Sequence, residues 1–164
     1  MSAGRFRQAQ RGFTYMAFLL FIAVAGGGLA AYGEIASHVA QREKEAELLF
    51  RGEQYRDAIA SYYKKEQRYP AKLADLLEDK RYPMPVRHLR RLYKDPITGA
   101  DWAVVEAPGG GVMGVFSRSE DEPVKSGNFS SKNQAFTEKR KYQDWQFVHS
   151  PPGLPAGAEK SAAR

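Results

Sequence analysis

The chain of 164 residues has no cysteine, which excludes a disulfide framework, a thiolate metal site and a cysteine nucleophile together. Its three histidines, His38, His88 and His149, are scattered, with no HExxH-like spacing for zinc hydrolysis. The segment GVFSRS around Ser117 does not have the GxSxG pattern of a nucleophile elbow. Gly109-Gly110-Gly111 is not followed by the Lys-Ser or Lys-Thr of a phosphate loop and reads instead as a hairpin turn. Charge is missing over one long stretch, from Phe13 to Gly33. These absences point away from an enzyme, and neither a cofactor nor a metal is expected.

What is present is ordered along the chain. A short basic leader carrying Arg5, Arg7 and Arg11 ends at Gly12, and the uncharged stretch begins at Phe13. Those three arginines supply half of the formal charge of +6, so the basic balance is weak support for a nucleic-acid partner. The 21 residues from Phe13 to Gly33 reach about 31 Å as a helix, close to the hydrocarbon thickness of a bilayer. Positive charge on the N-terminal side, with Glu34 to Glu45 nearly balanced on the other, predicts a single-pass inner-membrane helix. The N-terminus would then be cytoplasmic and the C-terminal domain periplasmic. Secretory signals place the cleavage site after the apolar stretch, whereas the obvious processing point here, Gly12-Phe13, lies before it. Cutting there would discard the basic leader and keep the helix. Gly26, Gly27 and Gly28 fall mid-stretch, at a propensity cost of about 3 kcal/mol relative to alanine. They read equally as a hinge or as a site of close helix packing.

Beyond Glu34 the apolar positions Ile35, Val39, Ala46, Leu49, Phe50, Ile59, Tyr62 and Tyr63 keep helical spacing. One helix is therefore predicted as far as Tyr69-Pro70, with Gly52 as a tolerated interruption. Pro70 to Leu77 predicts a short helix opened by proline. Residues 78–101 carry Pro83, Pro85, Pro96 and Gly99 and predict an irregular connection. Trp102 to Ala107 and Val112 to Phe116, separated by the glycine turn, predict a hairpin, and Asp144 to Val148 a third strand. Ser117 to Arg140 reads as a polar loop, and the tail rich in Pro, Gly and Ala as disordered. The resulting organisation is a leader over 1–12, a transmembrane helix over 13–33, a periplasmic domain over 34–149 and a tail over 150–164. The fold class is α+β: a long N-terminal helix, half transmembrane and half amphipathic, packed against a small antiparallel sheet.

Three motifs in this order resemble the type IV pilin-like proteins, and within them the pseudopilins of type II secretion, most like the major-pseudopilin type. They are Gly12-Phe13-Thr14 opening the helix, Arg68-Tyr69-Pro70 followed by Leu73, Leu76 and Leu77, and Asp95-Pro96-Ile97-Thr98-Gly99 before Trp102. The resemblance spans Arg11 to Val148. It implies cleavage by a prepilin peptidase between Gly12 and Phe13, methylation of the Phe13 amine, and assembly with other pseudopilins or pilins on an inner-membrane platform. Phe13, Thr14, Tyr15, Ala17 and Gly26 to Gly28 would then form the membrane and filament helix. One departure stands out. The family usually places a glutamate where this chain has Ala17, and that carboxylate would meet a neighbour's buried amine. Its absence suits a minor or tip subunit, or a pilin relative that stays in the membrane, better than a self-assembling major one. From hydropathy alone, the alternative is an unprocessed single-pass anchor whose outer domain binds a partner.

Two charged segments accompany these motifs. Glu120, Asp121 and Glu122 lack a calcium-ligand spacing and read as a solvated acidic turn. The basic run Arg87-His88-Leu89-Arg90-Arg91-Leu92-Tyr93-Lys94 has three readings: a solvated or internally paired face, a docking surface for Glu43, Glu45 and Glu47 of a neighbouring subunit, or a DNA-backbone contact.

Overall fold

The computed structural model describes residues 10–151, leaving out the side chains of residues 10–13 and 25–37. The chain divides into two compact units, residues 1–41 and 42–164. One helix, α1 (Gln10–Glu66), supplies all the described residues of the first unit and opens the second.

The expected transmembrane helix, and with it the single-pass inner-membrane placement, is corrected here. No helix of the described residues is long and apolar enough to cross a membrane. Residues 1–9 of the predicted leader and 152–164 of the predicted tail lie outside the described residues.

In the second unit α1 buries one face. Glu45, Leu48, Gly52, Tyr55 and Ile59 recur at spacings of three and four, and all five are buried. The helix stops at Glu66, three residues before Tyr69, because Gln67 enters the left-handed region with φ 56°. The predicted helix over Pro70 to Leu77 is reduced to a single 3-10 turn, Leu73–Leu76. It is held by the Asp75 carboxylate, which accepts the Lys72 N–H at 3.0 Å. Pro70 lies outside that turn, buried, and its carbonyl accepts the Val112 N–H at 2.8 Å. Tyr69-Pro70 thereby fixes the start of a strand instead of opening a helix.

Three antiparallel strands follow, β1 (Ala103–Glu106), β2 (Val112–Phe116) and β3 (Phe147–Val148), in the order β1-β2-β3. The β1–β2 hairpin closes through Gly110 and Gly111 at φ 86° and 89°, with a register irregularity between Val105 and Glu106. A β-carbon at Gly111 would also lie 2.9 Å from the Tyr69 β-carbon, so both the turn and the close approach require glycine there. The third strand is shorter than predicted. Asp144 belongs to a 3-10 turn, Tyr142–Asp144, and Trp145 turns inward, fully buried, before the chain pairs with β2.

The core lies between this sheet and the buried face of α1. Leu48, Tyr55 and Ile59 share a cluster with Trp102, Val115, Phe136, Trp145 and Phe147. The segment predicted as a polar loop, Ser117 to Arg140, contains a 3-10 helix, Ser131–Phe136, and contributes Phe136 to this core. The Phe136 and Trp145 rings stack at 5.5 Å, while Phe147 meets Phe136 edge-on at 5.2 Å and Trp102 at 6.0 Å. Gly52 admits the Phe147 ring against α1, since a β-carbon there would overlap the ring carbons. Its role is close approach, not a tolerated interruption.

Candidate assembly surface and charge clusters

Within the first unit every residue from Thr14 to Val24 is exposed. Large apolar side chains dominate the run: Tyr15, Met16, Phe18, Leu19, Leu20, Phe21, Ile22 and Val24 are between 46% and 70% exposed. Successive helix positions turn by about 100°, so eleven consecutive residues cover every face of α1. An amphipathic surface helix would show apolar residues on one stripe only. Burying one large apolar side chain contributes about 1.5–3 kcal/mol, so the exposure of this segment to water is unfavourable on all its faces. Tyr15 and Ala17 sit on this surface, as does Thr14, which makes a polar interaction of its own. Gly12, Phe13 and Gly26 to Gly28 lie within the helical backbone of α1, but their surroundings are outside the described residues.

Two acidic side chains on the second part of α1 anchor the long connection to it. Glu45 is 3% exposed; its carboxylate accepts the Lys125 N–H at 3.1 Å and the Tyr142 hydroxyl at 3.1 Å. Glu53 accepts from the Asn133 amide at 2.6 Å, and Arg56 donates to the Asn133 side-chain oxygen at 2.9 Å. The acidic helix face proposed as a partner for a neighbour's basic run is therefore diminished. Glu45 is engaged internally, Glu47 pairs with Arg51 at 2.6 Å, and Glu43 alone of the three is fully exposed.

The basic run divides by burial. Leu89 enters the core and His88 turns inward, whereas Arg87, Arg90, Arg91, Leu92 and Lys94 face solvent. Lys94 pairs with Asp101 at 2.7 Å, and the Tyr93 ring lies beneath Arg51, 3.9 Å from the guanidinium. Tyr93 is itself fixed by Tyr55, whose hydroxyl donates to the Tyr93 carbonyl at 3.0 Å and accepts its N–H at 2.8 Å. Burial holds the Tyr55 hydroxyl proton more firmly than in a free tyrosine.

A second cluster, not foreseen from sequence, surrounds Asp79, which is 1% exposed. Arg81 clamps its two carboxylate oxygens at 2.8 and 2.7 Å and stacks on Tyr62 at 3.6 Å. The His88 Nε2 lies 3.2 Å from the same carboxylate, and the His88 Nδ1 lies 2.9 Å from the Ser61 hydroxyl. The Arg81 hydrogen bonds hold the Asp79 carboxyl well below its usual range, against the opposing effect of burial. The only sequence signal was the spacing Asp79-x-Arg81 with a histidine nine residues on.

The third cluster explains the Asp95-Pro96-Ile97-Thr98-Gly99 turn. The buried Asp95 carboxylate accepts from the Ile97 N–H at 2.9 Å, Thr98 Oγ1 at 2.7 Å and Ser117 Oγ at 2.6 Å. Gly99 takes φ 72° to close the turn. Ser117 links the turn to the end of β2 and its Oγ accepts the Ser119 N–H at 3.2 Å, while the Ser119 hydroxyl donates to Asp121 at 2.8 Å. Glu120 pairs with Lys141 at 2.9 Å, and among the described residues no group of acids or histidines is placed to hold a metal. No family model, curated protein or solved structure was found to match the chain.

Proposed function

We propose that this chain is a pilin-like structural subunit, cut before Phe13, that assembles with other pilin-like subunits through the exposed apolar segment of α1. The observation that carries this reading is the run Thr14 to Val24, apolar on every face and exposed throughout. A bundle of similar helices, each surrounded by several neighbours, is the partner that such a surface fits. The order of basic leader, Gly12, Phe13 and uncharged helix supports the processing step, and the prepilin peptidase is its proposed partner. Ala17 offers no carboxylate to a neighbour's amine, which favours a minor or terminal place in the assembly.

The natural absence of cysteine gives a clean test. Met16→Cys and Leu20→Cys, each placed on the exposed segment of the full chain, are expected to form disulfide-linked dimers on mild oxidation in the native host. Ser126→Cys, exposed in the second unit, is the control and is expected to remain monomeric. Monomers at all three positions would remove the assembly reading.

A further inference from the structure

The hydrogen-bonded series Ser61, His88 and Asp79 has a directional consequence. Asp79 is held as a carboxylate by Arg81 and can only accept. In the neutral imidazole the Nε2 facing it at 3.2 Å carries the proton and Nδ1 is the lone-pair acceptor. The Ser61 hydroxyl lies 2.9 Å from that nitrogen, so its proton points at a base fixed from behind by a carboxylate. His88 is held further by the Tyr62 ring at 5.6 Å and by its own N–H, which donates to the Leu76 carbonyl at 2.9 Å. Ser61 is exposed on α1. A groove of about 340 Å³, lined by Asp57, Ala58, His88, Leu89 and Arg90 among others, meets the series at His88. Asp57 and Ala58 lie one helical turn before Ser61 and so share its face. Arg90 gives the groove a cation.

We propose that Ser61 is an acyl-acceptor serine, activated by His88 and positioned by Asp79 and Arg81, that takes an acyl group from small esters or thioesters with good leaving groups. The Ser61 oxygen attacks the carbonyl carbon while His88 Nδ1 takes the hydroxyl proton. Collapse of the intermediate breaks the bond to the leaving group, which departs with the proton from His88, and an ester on Ser61 remains. No oxidant or second reactant is needed. The product is a modified subunit, and the inference stands independently of the assembly reading.

The experiment uses the full chain and 4-nitrophenyl acetate, read by release of 4-nitrophenol and by peptide mapping of the acetyl group. Acetylation of Ser61 is expected to be about 100-fold faster than that of the exposed serines Ser126, Ser130 and Ser131. His88→Gln, which can still donate to Asp79, is expected to remove that advantage, and Ser61→Ala to remove the adduct alone. Equal rates at all four serines in the unmodified chain would overturn the proposal, without reliance on any variant folding. So would a Ser61 rate unchanged in folded His88→Gln.

Discussion

Replacing Asp79 with alanine is expected to destabilise the second unit by about 3–5 kcal/mol, the range for removing one partner of a buried ion pair. The carboxylate is 1% exposed and receives Arg81 through both oxygens. Without it the Arg81 guanidinium stays against the Tyr62 ring with only the Tyr62 carbonyl at 2.8 Å and Glu66 at 3.8 Å. His88 loses its acceptor as well. Three connections to α1 would loosen together, because Ser61, Tyr62 and Glu66 all lie on that helix. Urea unfolding measures the loss. Acid adds a second readout. In the folded chain the Asp79 carboxyl lies below its unfolded value of about 3.9. Its contribution is therefore complete above about pH 4 and is lost as the pH falls through the folded value. The unmodified chain should lose stability below pH 4 more steeply than Asp79→Asn, and parallel acid curves would show that the carboxylate contributes nothing.

Gly52→Ala should be destabilising by up to about 2 kcal/mol, although alanine is the better helix former. The propensity gain is about 1 kcal/mol. Against it stands a β-carbon driven into the Phe147 ring, which is fully buried between Phe136 and Trp102. Overpacking of this kind costs about 1–3 kcal/mol and occasionally more. The ring cannot swing aside, because β3 is held to β2 by pairing at Val115 and Gly114, and a β-carbon on Gly114 would in turn meet the Phe147 carbonyl at 2.7 Å. The steric term therefore outweighs propensity. Thermal unfolding should show a drop of several degrees, while Gly109→Ala, in open space at the hairpin, should change little. A stabilised Gly52→Ala would mean that the α1–β3 contact is loose.

The sequence made parts of this fold legible and hid others for definite reasons. Helical spacing revealed the second part of α1, and the alternation of apolar runs with a glycine turn located β1 and β2, since both signals are local. The end of α1 was misplaced because Gln67, in the left-handed region, carries no sequence mark comparable to a glycine. The strand over Asp144 to Val148 was overextended because Trp145 is apolar for a different purpose, stacking on Phe136. Long-range polar anchors were invisible: Glu45 with Tyr142, and Asn133 with Glu53, join residues far apart in the chain. Length and hydropathy of the uncharged N-terminal stretch predict a membrane span, and among the described residues no helix meets that requirement. What remains at that surface is an apolar helix exposed on every face, and the assembly reading rests on it.

Intact-mass analysis with N-terminal sequencing of the protein isolated from its native host tests the central claim most directly. A chain beginning at Phe13, with a methylated amine, is the result expected of a processed pilin-like subunit. A chain that keeps Arg11 and Gly12 would contradict it.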